Sequence, residues 1–565
     1  MTNRNACILS TVFSAAALSS VADTRPNILI ILTDDSGYSD PGCYGGEIDT
    51  PNLDKLAHNG LRFKTFYNNA RCSPTRASIM TGRYNTRAGF AAGTLGGWGR
   101  EVNLPSYRAR LPYELPTIAE VMKESGYQTL MTGKWHLGGS MLKNHPDWST
   151  WWKNTHPGWE LTPDEGEHEF NALPLQRGFD RFFGMIEGET HHFFVPGDEA
   201  GYMEGNTRAK IPYDKTYSMF CYYENTNRYP FTKNHLQTGP AFYATDGMTD
   251  RAIKMIRDAS DENKPPFFMY VAYRAPHTPL QAPKELVDKY LLRYSDLKKV
   301  EEDHVNGLIR EKLFPANMEY IKNFENGGAR NAETERFKLR LAVHAAMMEK
   351  VDENVGRIVQ TLDELGELDN TLIFYLSDNG ASSIVGDMLN RPYRGCKALL
   401  WEGGAKTHCI VHWPDVVKPD TITDSIGWVG DFLPTCLEIA GGTYPAEFRG
   451  KKTEPLDGRS ILPTLKGETQ PPPEYLFFND RGQQSVIAGG RWKLLINPGW
   501  YANTSKQGGT QYELYDLEKD PAEARNIAAK NPDRVKQLAA VCAKWQQENG
   551  ILDYAEVRKM RPNDQ

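Results

Sequence analysis

Three stretches of this chain are apolar without a break, and they restrict the fold more than any other feature. Asn27-Ile28-Leu29-Ile30-Ile31-Leu32, Phe267 to Tyr273 and Thr371 to Leu376 lack the polar alternation of a strand with one wet face. Runs of this kind belong to strands covered on both sides. Helical patterns separate them. Thr50-Pro51-Asn52 opens a helix over Leu53 to Asn59 that Gly60 stops, and Thr117 opens another that runs to Ser125 before Gly126. Tyr127 to Met131 reads as a strand, and Thr245 to Ala259 as a helix capped by Thr245 or Asp246. Lys284 to Glu335 is charged and helical in pieces. Phe337 to Leu365 is one long helix, with Val343, Met347, Val351, Val355, Ile358 and Leu362 on a single face. Buried strands alternating with helices predict an α/β fold: a large, mostly parallel sheet sandwiched by helices over residues 23–437.

Past Glu438 the texture changes. Runs at Tyr475 to Phe478, Ser485 to Ala488, Trp492 to Ile496 and Tyr512 to Asp516 are short and separated by turns, and Pro532 to Asn549 closes the chain as a helix. Residues 438–565 are therefore expected to form a smaller α+β domain, an antiparallel sheet plus a helix. Between about 144 and 240 periodicity fades and aromatics gather, including Trp148, Trp151, Trp152 and Trp159. This stretch reads as an insertion without a core of its own.

In 565 residues, 65 Lys and Arg against 72 Asp and Glu leave a net charge of −7, which argues against a nucleic-acid partner. The Arg4, Ala6–Leu18 and Ser20-Val21-Ala22 sequence resembles a secretory leader over residues 1–22, implying a periplasmic or secreted protein. No run is long enough for a membrane span. Eight scattered cysteines without a Cys-x-x-Cys pair suit neither a disulfide framework nor a structural zinc site.

Polar residues fall where the strands end. Asp34-Asp35, Lys134 with His136, His277, and Asp378-Asn379 each follow an expected strand directly. Taken singly, each reads as a cap, a turn or a surface group. Together they would converge, because the C-terminal ends of parallel strands share one crevice. Asp34, Asp35, Asp378 and Asn379 offer only oxygen, which favours a hard cation such as calcium over zinc. The segment Cys72-Ser73-Pro74-Thr75-Arg76 reads as a loop entering a helix, with Ser73 as N-cap and Pro74 at the first helical position. That places Cys72 at the positive end of a helix dipole, a setting for an anionic nucleophile and an anionic substrate. Only three residues separate Cys72 from Arg76, so this is not a Cys-x-x-x-x-x-Arg phosphatase loop.

Cys-Ser-Pro-Thr-Arg followed by Ala-Ser-Ile-Met-Thr-Gly-Arg closely resembles the signature of the type I sulfatases, the formylglycine-dependent branch of the alkaline phosphatase-like superfamily, and is nearest the arylsulfatases. The resemblance extends from Pro26 to Tyr515-Asp516-Leu517. It implies that a maturation enzyme oxidises Cys72 to formylglycine, whose hydrate attacks sulfur and then collapses to expel sulfate. It implies calcium ligands at Asp34, Asp35, Asp378, Asn379 and the modified Cys72. It further implies that Arg76 and Lys134 hold the formylglycine, that His136 assists breakdown of the sulfated intermediate, that His277 protonates the leaving group, and that Lys397 binds sulfate. The expected substrate is a sulfated carbohydrate or an aryl sulfate. A phosphoester or phosphonate ester hydrolase on the same scaffold, and a silent sulfoglycan-binding protein, are the competing readings. After Trp401-Glu402-Gly403-Gly404 the family continues with an apolar residue, Arg, Val and Pro, whereas here Ala405-Lys406-Thr407-His408 stands. The packing of that loop and part of the substrate pocket are thereby in question.

Overall fold

The computed structural model describes residues 23–92, 104–138, 171–186, 193–194, 202–204, 222–228, 242–260, 264–320, 335–499 and 510–560. The expected leader and most of the aromatic insertion, with its four tryptophans, lie outside the described residues.

Among the described residues eleven strands form the main sheet. The longer ones in chain order are β1 (Asn27–Asp34), β2 (Leu61–Tyr67), β3 (Gln128–Lys134), β4 (Arg181–Met185), β5 (Phe267–Pro276), β6 (Thr371–Ser377), β7 (Cys409–His412) and β8 (Thr421–Trp428). Their spatial order is β2-β7-β6-β1-β5-β3-β4, with β8 also paired to β2. From β6 to β4 the five central strands are parallel. β7 runs antiparallel to both β6 and β2, so β2 again points with the centre, and β8 lies parallel to it. The expected mostly parallel sheet is present, with β7 reversed among the longer strands and the two-residue strands Lys406–Thr407 and Tyr223–Glu224 reversed nearer its edges.

The unbroken apolar runs do what their composition demands. Along β1, Ile28, Ile30 and Leu32 enter one core while Leu29 and Ile31 enter another on the opposite face. β5 and β6 divide their side chains in the same way. One face is covered by α1 (Pro51–His58), α4 (Ala244–Ala259) and the thirty-residue α5 (Glu335–Glu364). The other is covered by α2 (Cys72–Thr81), α3 (Ile118–Glu124) and α6 (Phe432–Ile439). Thr117 caps α3 through a capping box with Glu120.

Two expected caps differ. The α2 helix begins two residues earlier than expected, with Arg71 as N-cap, because the Thr75 amide already donates to the Arg71 carbonyl at 3.0 Å. Ser73 is therefore inside the first turn. Likewise α4 starts at Ala244, after Tyr243, and neither Thr245 nor Asp246 caps it.

A close approach at the sheet centre requires glycine. Gly133 pairs with Ala272 on one side and Gly184 on the other, at φ +103°. A Cβ there would lie 1.9 Å from the Ala272 carbonyl oxygen. Only glycine lets β3 take this conformation one residue before Lys134.

The C-terminal sheet is four-stranded and antiparallel: β9 (Tyr475–Asp480), β10 (Gln483–Ala488), β11 (Trp492–Ile496) and β12 (Tyr512–Asp516). On one face Val486, Leu494 and Leu514 pack with Leu538 and Cys542 of α7 (Pro532–Glu548). From the other face Phe478, Ile487, Leu495 and Tyr515 join the core of the main sheet. A buried ion triad reinforces this junction, with Lys493 Nζ 2.8 Å from Glu402 and 2.9 Å from Glu523. Among the described residues no helix is long and apolar enough to cross a membrane, and the six described cysteines are buried.

Candidate active site

Strand direction assembles the site. The central parallel strands deliver Asp34-Asp35 from β1, Lys134 and His136 from β3, His277 from β5 and Asp378-Asn379 from β6 to one edge. β2 is aligned with them and feeds Cys72 to that edge through Asn68–Arg71, while Lys397 enters on the loop leading back into reversed β7.

Three buried carboxylates and three cations interlock there. Asp34 Oδ2 lies 2.5 Å from Lys134 Nζ and 3.6 Å from Arg76 Nη2. Asp378 Oδ2 accepts from Arg76 Nε at 3.1 Å and Nη2 at 2.8 Å, and Arg76 Nη1 donates to the Lys134 carbonyl at 2.8 Å. Asp35, turned into the left-handed region at φ +73°, accepts at Oδ1 from Lys397 Nζ at 2.6 Å and Asn379 Nδ2 at 2.8 Å. Asp34, Arg76, Lys134, Asp378 and Asn379 are all fully buried. Such charges survive burial only because each has an opposite partner.

Electrostatics separates the acids. Burial raises the pKa of the Asp34 carboxyl, but the cations Lys134 and Arg76 outweigh it and hold the group well below the usual carboxylate range. Burial and the charge of Asp34 push Asp378 up, against Arg76 and Lys134. Lys397 is desolvated, yet Asp35, Cys72 and Asp34 keep it a firm cation.

The donor set fits a hard cation. Two buried oxygens of the cluster, Asp34 Oδ1 and Asn379 Oδ1, have no hydrogen-bond partner. An unpartnered buried acceptor costs about 1–3 kcal/mol, a cost that a bound cation removes. Asp34, Asp35 and His277 each place a ligand atom within 4.8 Å of the others. His277 Nε2 stands 3.9 Å from Asp35 Oδ2.

Cys72, 6% exposed, opens α2 and lies within electrostatic reach of both Arg76 and Lys397. Thr75 ties the helix to the acidic cluster, its Oγ1 donating to the Asp378 carbonyl at 2.6 Å. His277 Nδ1 sits 2.7 Å from the Thr278 carbonyl. Burial first, then the charge of Lys397, pushes His277 well below the ordinary histidine value. Burial with Lys134 and Arg76 does the same to His136, which holds a left-handed φ of +57°. Both imidazoles are thus neutral at pH 7 before any anion arrives. All ten residues expected from the sequence stand at this one sheet edge.

Sequence reasoning missed the supports. Thr75 was part of the recognised segment, but its bond to Asp378 depends on tertiary fold. Asp480, which holds Arg71, comes from the C-terminal sheet and carried no signal beyond a turn at Asp480-Arg481-Gly482. The Ala405–His408 departure is absorbed by the core. Lys406 Nζ reaches the Tyr393 hydroxyl at 3.0 Å and lies over the Tyr393 ring, 4.3 Å from its centroid. His408 stacks on Tyr375 and pairs through Nδ1 with the Gly37 carbonyl.

Comparison with known proteins agrees with this geometry. The family model described as Sulfatase matches residues 26–442, and one described as N-sulphoglucosamine sulphohydrolase, C-terminal, matches 396–548. An uncharacterized sulfatase of Schizosaccharomyces pombe is 30% identical over 94% of each chain. Human N-acetylgalactosamine-6-sulfatase is 28% identical over 79% of this chain and 66% of its own length. The crystal structure of Ps i-CgsB, also solved with k-i-k-neocarrahexaose, superposes with a TM-score of 0.64 at 25% identity over 93% of each chain. With the family model spanning most of the chain and the site in place at its sheet edge, the chain belongs to the sulfatase family and is a sulfuric ester hydrolase.

Proposed function

We propose that this sulfatase cleaves the sulfate ester of a sulfated carbohydrate, using position 72 as formylglycine and a calcium ion beside it. The observation that carries the reading is Cys72 at the start of α2, within electrostatic reach of Arg76 and Lys397, next to a carboxylate cluster with two unpartnered oxygens. Asp34, Asp35, Asp378 and Asn379 would hold the calcium, together with the modified Cys72. The ion supplies positive charge that offsets the sulfate oxygens, and formylglycine supplies a nucleophile that an unmodified Cys lacks.

The chain's own groups do the remaining work. Arg76 and Lys134 fix the side chain at position 72, and Lys397 binds a sulfate oxygen that is not being cleaved. The leaving oxygen needs a proton, and His277 is placed to give it. His277 is neutral in the free site, largely through burial and Lys397. A sulfate bound against Lys397 offsets that cation and so shifts His277 toward the protonated form that a general acid needs. His136, held neutral by burial and by Lys134 and Arg76, suits a base in the second half of the cycle.

The carbohydrate assignment draws on the sugar-directed names of the relatives and on the aromatic residues of the insertion, which suit sugar rings. Aryl sulfates are the convenient surrogate. The reading also requires a maturation enzyme in the producing cell and, from the leader, export to the periplasm or medium. The test compares matured wild type with Cys72→Ala and His277→Ala on matched aryl sulfate and aryl phosphate esters. Both variants should lose sulfate release, and wild type should prefer the sulfate. Full activity in either variant, or a preference for phosphate, overturns the reading.

A further inference from the structure

The tip of one C-terminal hairpin touches both halves of the site. β9 and β10 are joined by Arg481 and Gly482, at φ +46° and +86°, the tight turn that brings Asp480 and Gln483 side by side. Asp480, about 1% exposed, grips Arg71 with two parallel bonds, 2.9 Å from Nε and 2.8 Å from Nη2. Arg71 is the N-cap of α2 and precedes Cys72. On the other side, Gln483 Nε2 donates to the Ala398 carbonyl at 2.9 Å, one residue after Lys397. The two gripped loops are also bonded to each other, the Ala398 amide donating to the Ala70 carbonyl at 2.6 Å. Ala70 and Ala398 both sit in the left-handed region, at φ +57° and +69°. An alanine stays there only when its surroundings hold it.

We propose that Asp480 and Gln483 are positioning residues of the active site, through which the C-terminal sheet sets the distance between position 72 and Lys397. This rests on the reading that Cys72 and Lys397 act on the sulfate. Arg71 presents a planar fork to Asp480, so the pair fixes direction as well as distance. Gln483 in turn fixes the Ala398 carbonyl and with it the start of the loop that carries Lys397. Neither residue has to meet the substrate. The C-terminal sheet thereby becomes part of the catalytic unit instead of a docked appendage, which explains why the two polar residues flanking the turn, Asp480 and Gln483, are buried.

The test measures kcat and KM for an aryl sulfate in wild type, Arg71→Ala, Asp480→Ala, Gln483→Ala and the Arg71→Ala/Asp480→Ala double variant. Each rate is divided by the fraction of position 72 converted, read by peptide mass spectrometry. Asp480→Asn is included in case Asp480→Ala fails to fold. Leu494→Ala, in the core between the C-terminal sheet and α7, controls for loss of stability alone. Expected is a fall in kcat of about 10- to 100-fold in the Asp480 and Gln483 variants, the size a small misplacement of reacting groups produces. The double variant should fall no further than the worse single one, and Leu494→Ala should keep its kcat below its melting temperature. A kcat per converted site within twofold of wild type in Asp480→Ala and Gln483→Ala, or losses that multiply in the double variant, overturns the proposal. Activity persisting in Cys72→Ala would instead overturn the reading beneath it.

Discussion

Replacing Arg76 by lysine keeps its charge and changes only its shape, so it isolates what the guanidinium does. In the native site Arg76 makes three bonds, two to Asp378 Oδ2 and one to the Lys134 carbonyl, with no exposed surface. A lysine ammonium at the end of a shorter, unforked chain can keep one of them. Two buried acceptor contacts are then lost, at about 1–3 kcal/mol each for an unmet buried group. The expected destabilisation is about 2–6 kcal/mol, a large share of the 5–15 kcal/mol typical of a domain. Arg76→Ala would also strand a buried carboxylate, adding about 3–5 kcal/mol, and so risks an unfolded chain. Urea unfolding of Arg76→Lys against wild type, both loaded with calcium, measures the cost, and sulfate release on the folded fraction measures the function. We expect the stability loss above and a kcat reduced at least tenfold, because Arg76 also orients Asp378. Arg76→Lys within 1 kcal/mol of wild type and fully active would show that guanidinium geometry is irrelevant here.

Two further outcomes follow from the same structure. Calcium should raise the melting temperature of the chelator-treated protein, by an amount equivalent to about 2.7 kcal/mol at a hundredfold excess over Kd. Asn379→Ala, which deletes one of the two unpartnered oxygens, should weaken that response, and an unchanged calcium titration would remove Asn379 from the ligand set. Asp431, buried and accepting from the Trp428 and Arg459 amides, is pushed up to about 7 by its burial. Between about pH 4 and 7 the native state then holds a proton that the unfolded chain has released, so stability should fall as pH rises through that window and level off above it. In Asp431→Asn this part of the slope should vanish, as urea midpoints at pH 5 and pH 8 would show.

What could be read from the sequence was whatever depends on burial pattern. β1, β5 and β6 are apolar on both faces because helices cover both, and their composition alone makes that visible. Their C-terminal ends then placed Asp34, Asp35, His277, Asp378 and Asn379 at one edge without further information. β2 was not legible, because Arg62 and Lys64 interrupt its apolar residues. Arg62 is tolerated through Glu311, 2.7 Å away, and Asp420, 3.2 Å away, both far along the chain. At α2 local sequence points to Ser73, since a serine before proline is a good cap, but the helix gains an earlier turn from Arg71, whose side chain is held by the distant Asp480. Long-range partners of that kind leave no periodicity. The Ala405–His408 departure shows the converse, since a lysine and a histidine at core positions read as disruption until Tyr393 and Tyr375 are seen beside them.

The central claim is that catalysis belongs to an oxidised position 72. It is tested most directly by preparing the protein with graded maturation and measuring, on the same samples, sulfate release and the mass of the peptide spanning Cys72. The rate should rise in proportion to the aldehyde-bearing fraction and extrapolate to zero where every chain carries an unmodified cysteine. Full turnover by protein whose Cys72 is wholly unmodified would contradict it.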